Sequence, residues 1–339
     1  MIQCAIVGSG WSAGRHARVL RRVEQSQLAR VVVEPGTPTR LPADFGGVAA
    51  TDRLDDVLTD PEIDAVVVCT PPDTHLEIAE AALRAGKHLV IEKPVGLAPD
   101  HIRPLAHLAD ARGLTVMVPY HFRFVPPLQR LRLRVAAGEL GTVAHAYHRM
   151  YSLRDREGAW LWDDARSGGI ILESLVHGID QIIWMLGERP RSVAAMTHSG
   201  RGGVADAATV LMRFPGGAVG TVEGSWISDP HIPFGSLDIV GSAGSAAFER
   251  GRFNNRHFRV ETATAAAGAP APHADVLADD DAGFVALHEH FAECCTHGKP
   301  PRAATLQEAH TAAYVAVTAI EAARTGRELP LTDLWQDGP

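Results

Sequence analysis

The sequence predicts an α/β fold in two parts, a doubly wound parallel-sheet domain over residues 1–122 and an α+β domain with an antiparallel sheet over residues 123–339. Three observations predict it. Short apolar runs alternate with amphipathic segments as far as about residue 122, the signature of βαβ units. A Gly-x-Gly-x-x-Ala turn, Gly8 to Ala13, joins the first apolar run to the first amphipathic one. Beyond Arg123 the period changes, and strand-like runs bounded by Gly, Pro or Asp succeed one another.

Each element follows from its local pattern. Cys4-Ala5-Ile6-Val7 predicts the first strand and residues 13–23 the helix after it. Residues 29–33 predict the second strand, and the run 63–69 is so apolar that it should be covered on both faces. A helix over 77–85 stops at Gly86, a strand over 88–91 follows, a helix over 100–111 stops at Gly113, and a strand covers 114–118. The second part opens with a helix over 128–137, a strand over 143–151 and a helix over 171–186. Strands are predicted over 192–197, 207–214, 218–226, 236–240 and 245–249. The Ala-, Pro- and Asp-rich stretch 262–283 has no period and predicts a surface loop or lid. Helices over 284–296 and 305–325 close the chain, with apolar faces expected to pack back on the first domain.

Composition bounds the function. With 339 residues and 46% hydrophobic content, the chain is long enough for two buried cores. A net charge of −8 with both signs interspersed argues against nucleic acid and permits a cationic substrate. Cys4, Cys69, Cys294 and Cys295 lack metal-ligand spacing, so reduced thiols in a cytoplasmic protein are expected and no metal is implied. No run approaches the ~18 uninterrupted apolar residues of a membrane span, and Arg15, His16 and Arg18 interrupt any signal-peptide core.

Four constellations carry chemistry. In Gly8-Ser9-Gly10-Trp11-Ser12-Ala13 the glycines permit a tight turn and close approach of backbone N–H groups to a pyrophosphate at a helix N-terminus. Glu34, at the end of the second strand, stands where a carboxylate accepts hydrogen bonds from adenosine ribose hydroxyls; the alternative is a strand-end Glu facing water. A carboxylate there favours NAD over NADP, although Thr37, Thr39 and Arg40 keep the phosphorylated cofactor open. Thr70-Pro71-Pro72-Asp73-Thr74-His75 makes a rigid loop along the cofactor, with Asp73 or Thr74 capping the next helix and His75 open between ligand contact and packing.

Glu92-Lys93-Pro94 puts a lysine at the end of a buried strand, where α/β sheets bind ligands; a solvated lysine is the plain alternative. About 80 residues on, Glu173, His177 and Asp180 fall at i, i+4 and i+7 and would share one face of an α-helix, so that a carboxylate could tune an imidazole base. The alternative is a solvated polar stripe. Gly168-Gly169 ahead of it lets backbone or ligand approach.

Taken in order, these motifs resemble the Gfo/Idh/MocA family of NAD(P)-dependent oxidoreductases, the glucose–fructose oxidoreductase and inositol dehydrogenase type. The resemblance runs from the Gly8 turn to the segment 322–326. It implies an N-terminal Rossmann domain and a C-terminal domain whose large, mostly antiparallel open sheet covers the active site on one side and often builds a homodimer or homotetramer on the other. It also implies a catalytic group of Lys93, Glu173 and His177, and often a cis Lys93-Pro94 bond. Tyr120, His121 and Arg123 stand where the family places cofactor and substrate contacts, and Trp160 and Trp162 are open between stacking on a pyranose and anchoring the core. Two positions depart from the family pattern: Ala13 replaces the third glycine, and Glu173 replaces the usual aspartate.

The activity implied is oxidation of a secondary ring hydroxyl of a sugar, amino sugar, aminoglycoside or cyclitol, or the reverse reduction. Two other readings use the same fold: a catalytically silent NAD-binding regulator, and a redox-neutral enzyme holding NAD tightly.

Overall fold

The computed structural model describes residues 1–36, 41–154, 159–200, 203–227, 235–250, 256–262, 281–332 and 334. Thr37, Thr39, Arg40 and most of the expected 262–283 loop lie outside them. The chain forms two compact units, Met1–Phe124 with Asp281–His310, and Val125–Asp280 with Thr311–Pro339.

The first unit is built on six strands: β1 (Ile2–Val7), β2 (Ser26–Val32), β3 (Ala49–Thr51), β4 (Ala65–Val68), β5 (His88–Ile91) and β6 (Val116–Met117). All pair in parallel, in the order β3-β2-β1-β4-β5-β6. The winding reverses between β1 and β4, so a ligand crevice is expected at their carboxyl ends. The four residues of β4, Ala-Val-Val-Val, are fully buried, as a strand covered on both faces requires. Helices Trp11–Leu20, His75–Arg84 and Ile102–Ala111 make the crossovers. The helix Ala282–His297 adds Leu287 and Phe291 to the core around Ile6, Val31 and Val67. Burial of each such side chain contributes about 1.5–3 kcal/mol, and Phe291→Ala would cost about 3–5 kcal/mol. β3 escaped the sequence reading because Ala-Ala-Thr has no apolar signature.

Among the described residues the second unit carries eight strands: β7 (Val143–Tyr151), β8 (Ser192–Ser199), β9 (Ala205–Arg213), β10 (Val219–Ser225), β11 (Gly235–Gly241), β12 (Gly244–Arg250), β13 (Arg256–Thr262) and β14 (Leu329–Pro330). Their order is β13-β12-β11-β7-β10-β9-β8-β14. Only β7 with β10 is parallel. Asp206, Ala208, Val210 and Met212 alternate inward along β9, the period-2 pattern of a sheet covered on one face. β13, in a stretch to which the sequence reading had assigned no strand, extends the sheet.

The helix expected over 171–186 is not one continuous α-helix. A π-helical turn, Ile171–Leu175, precedes the α-helix Val176–Leu186. The run Asp164–Leu186, with a mean hydropathy of 1.3, has the length and composition of a membrane span, but 78% of its apolar window is buried inside the protein. It is a core helix by packing. The four cysteines are free.

Candidate active site

The crevice of the first unit begins at the fingerprint turn. Gly8 has φ +115°, and a Cβ on it would meet the Cys69 carbonyl oxygen at 2.6 Å, so the chain itself demands glycine. Gly10 differs. A Cβ there would meet no atom within 4 Å, and its smallness leaves room for a ligand. Gly10 caps the helix Trp11–Leu20 without any side-chain hydrogen bond, and the first turn carries no acid. The uncapped N–H groups and the positive end of the dipole therefore fit a pyrophosphate. Ala13 is buried at the third-glycine position, Ser9 and Ser12 are half-buried, and Trp11 is 75% exposed. Glu34 follows the end of β2, exposed, as a ribose-binding carboxylate must be. These residues fit a dinucleotide.

At the end of β4, Thr70 and Pro71 are half-buried and Pro72 is buried. Thr74 does not cap the helix His75–Arg84 as expected; its hydroxyl donates to Thr70 Oγ1 at 2.7 Å and lies 2.9 Å from the Pro71 carbonyl. His75 is buried, with Nδ1 2.8 Å from the Pro94 carbonyl and Nε2 2.6 Å from the Thr70 carbonyl. It ties the proline loop to the Glu92-Lys93-Pro94 segment.

Glu92, one residue past β5, is buried with its carboxylate well supplied. Oε1 accepts from Ser12 Oγ at 2.5 Å and lies 3.1 Å from His16 Nε2, and Oε2 accepts from the Lys93 N–H at 3.0 Å. Burial alone would push the carboxyl up, but His16, the Lys93 ammonium and Ser12 together hold it well below the usual carboxylate range. Lys93 is half-buried, and the Lys93–Pro94 bond is cis. The Ser12–Glu92 bond fastens the lysine segment to the fingerprint turn.

His121 lies with its ring between Phe122 and Phe284, centroids 4.3 and 4.4 Å away. Tyr120 is 2% exposed. Arg123, expected against substrate, is instead 4% exposed and donates to Glu308, whose Oε2 accepts from the Thr305 N–H at 2.9 Å while Thr305 Oγ1 accepts from the Glu308 N–H. That is a capping box, and the salt bridge accounts for the arginine's burial. Likewise Asp281 does not cap its helix with its side chain; it accepts from Arg15 Nε at 2.8 Å.

The second unit presents Glu173 from the π turn and His177 and Asp180 from the α-helix. A π turn uses i→i+5 bonding, so the i, i+4 spacing does not carry Glu173 onto a shared α-helical stripe, and residues 171–182 are buried except His177. The two-faced helix of the sequence reading is thus corrected to a buried helix with one half-exposed imidazole. Glu173 accepts from Ser174 Oγ, which in turn accepts from Trp226 Nε1 at 2.8 Å. Trp162 packs edge-on against Trp226, centroids 5.6 Å apart, and Trp160 is half-buried nearby in sequence. Among the described residues no group of three or more His, Cys, Asp or Glu side chains is placed to hold a metal.

Sequence reasoning missed His16, His288, Ser174 and Trp226. Ser12 and His16 stand at i, i+4 on a helix, a signal that was available; nothing in the sequence ties His288 or Trp226 to their partners.

Residues 2–120 match the model of an oxidoreductase family with an NAD-binding Rossmann fold, and residues 128–247 match the GFO/IDH/MocA C-terminal domain. The chain is 27% identical over 320 residues to scyllo-inositol 2-dehydrogenase (NAD(+)) of Bacillus subtilis (strain 168), covering 88% of each chain. It is 27% identical over 323 residues to inositol 2-dehydrogenase of Rhizobium meliloti (strain 1021), covering 89% of this chain and 93% of the other. The crystal structure of GenD2 from gentamicin A biosynthesis in complex with NAD superposes with a TM-score of 0.85 at 26% identity, covering 98% of this chain and 96% of that one. The protein belongs to the Gfo/Idh/MocA family and is an NAD-binding oxidoreductase acting on CH–OH groups.

Proposed function

We propose that the protein oxidises a secondary ring hydroxyl of a sugar, amino sugar, aminoglycoside or cyclitol with NAD, or reduces the corresponding ketone. The observation that carries this reading is the Ser12–Glu92 hydrogen bond of 2.5 Å, which fastens the lysine of the Glu-Lys-Pro segment to the dinucleotide turn. Similarity to two inositol dehydrogenases and to GenD2 supports a ring polyol, and the net charge of −8 suits a cationic one such as an aminoglycoside.

Gly8 to Ala13 and Glu34 hold the dinucleotide, with Thr70, Pro71 and His121 as further contacts. When bound, NAD supplies the hydride acceptor. His177 takes the hydroxyl proton as general base. Lys93 donates a hydrogen bond to the same oxygen and stabilises the negative charge that develops there. Glu173 keeps the place in the catalytic group that the resemblance implies, held here by Ser174 rather than by a helical face shared with His177. Asp180 is 2% exposed, and Trp160 and Trp162 offer faces for a sugar ring.

The outward face of the eight-stranded sheet carries exposed Met196, Leu211 and Val240 opposite the helix-covered face. An apolar open sheet of this kind supports assembly into a homodimer or homotetramer.

The test is an absorbance screen for NADH production over cyclitols, pyranoses and aminoglycosides, run in parallel with NADP. Turnover on a ring polyol with NAD is expected. NAD binding without turnover across the screen would instead favour a silent regulator.

A further inference from the structure

Beneath the fingerprint turn of the first unit lies a buried chain of four side chains from three elements. Ser12 and His16 belong to the helix Trp11–Leu20, Glu92 follows β5, and His288 belongs to the helix Ala282–His297. His16 Nδ1 is 2.7 Å from His288 Nε2, and His16 Nε2 is 3.1 Å from Glu92 Oε1. Both imidazoles have no solvent exposure, and Phe284 closes the cluster edge-on against His16 at 5.3 Å.

The protons in this chain can be placed by elimination. Between two imidazole nitrogens 2.7 Å apart, one must donate and the other accept. Were His16 neutral with its proton on Nδ1, a bare Nε2 lone pair would face the Glu92 carboxylate, which is repulsive. Were His16 doubly protonated, His288 would accept at Nε2 and carry its proton on Nδ1. That atom has no hydrogen-bond partner among the described residues, so a buried N–H would be orphaned beside a buried cation. The remaining arrangement orphans only a lone pair. His288 Nε2–H donates to His16 Nδ1, and His16 Nε2–H donates to Glu92.

We propose that His288 and His16 are positioning residues, with His288 donating to His16 Nδ1 and so reinforcing the orientation in which His16 donates to Glu92 and holds the carboxylate that anchors both Ser12 of the dinucleotide turn and the Lys93 backbone. Neither histidine touches substrate in this role. Burial lowers the His288 pKa, in keeping with a neutral ring. The chain explains why a histidine near the carboxyl end of the sequence matters to a turn at its beginning. It rests on the nucleotide site described above, and its test is separable from that site's function.

The test uses full-length protein in three forms: wild type, His288→Leu, which removes the donor, and His288→Gln, whose amide N–H can reach the Nε2 position. Long-range 1H–15N NMR reports which ring nitrogen of His16 is protonated, and titration reports NAD affinity. The Nε2–H tautomer is expected in wild type and in His288→Gln. In His288→Leu the Glu92 carboxylate still favours Nε2–H, but His16 loses the donor that holds its ring, and NAD affinity should fall about tenfold. A wild-type His16 protonated on Nδ1, or a His288→Leu protein with unchanged NAD affinity, overturns the proposal. If His288→Leu does not fold, the wild-type spectrum and the His288→Gln affinity decide. If wild-type protein fails to bind NAD, the functional reading falls while the tautomer measurement still decides the relay.

Discussion

Gly8 packs so tightly on Cys69 that an added Cβ would lie 2.6 Å from the Cys69 carbonyl oxygen, while Gly10, two residues on, has open space around the same position. One glycine is demanded by the chain and the other by what binds it. Gly8→Ala, which also strains a φ of +115°, should cost on the order of 2–4 kcal/mol of stability. Gly10→Ala should leave the melting temperature within about 2 °C and weaken NAD binding at least about tenfold. Thermal melts and NAD titrations of the two variants check this. Equal loss of stability in both would remove the ligand argument for Gly10.

Buried histidines give the protein an acid-sensitive stability. Burial lowers the pKa of His75, against the opposing effect of the Pro94 and Thr70 carbonyls, and lowers that of His148, packed beside Gly178, from 6.5 to about 4. A folded-state pKa below the unfolded value means the unfolded chain binds more protons in that window. Stability is therefore complete above 6.5 and falls as the pH drops toward 4, with His148 alone accounting for roughly 3 kcal/mol. Glu92, also lowered, adds loss below its ordinary 4.5. Chemical denaturation between pH 8 and pH 5 should show the decline, and His148→Phe should flatten it.

The parallel sheet, its order of elements and the fingerprint turn were legible because each is encoded locally, by apolar runs of strand length and by glycines at a turn. The cis Lys93–Pro94 bond agrees with what the resemblance implied. The π turn at Ile171–Leu175 was not legible, since an α-helical period was assumed and a segment buried on nearly every side carries no periodic signal to separate a π turn from an α-helix. Arg123 misled for a different reason. Its partner Glu308 lies 185 residues away and belongs to a capping box that no scan around Arg123 would meet. The same long separation hid His288 from His16.

Trp226 donates from Nε1 to Ser174 Oγ at 2.8 Å, and Ser174 donates onward to Glu173. Ser174→Ala leaves a buried indole N–H without its acceptor and removes a donor from a buried carboxylate. A loss of about 1–3 kcal/mol in stability is expected, and turnover should fall with it because Glu173 is no longer fixed. Ser174→Thr, which retains the hydroxyl, should recover most of the activity. Denaturation and steady-state kinetics of the pair separate the hydroxyl from mere packing.

Lys93 and His177 are the residues to which the proposed chemistry is assigned, which makes their substitution the most direct check on the reaction. Lys93→Ala removes the donor that stabilises charge on the reacting oxygen, and His177→Ala removes the base, so each should lower kcat by about 10²–10⁴-fold. Neither contributes to the helix N-terminus or to the Glu34 carboxylate, so NAD affinity should change by no more than about threefold, under 1 kcal/mol. The Lys93 backbone N–H, which supports Glu92 at 3.0 Å, survives the change to alanine, and the anchored carboxylate should stay in place. Stopped-flow single turnovers report the chemical step apart from product release. Near-normal single-turnover rates in either variant would withdraw that residue from catalysis, and a collapse of NAD affinity in Lys93→Ala would move the lysine to the cofactor instead.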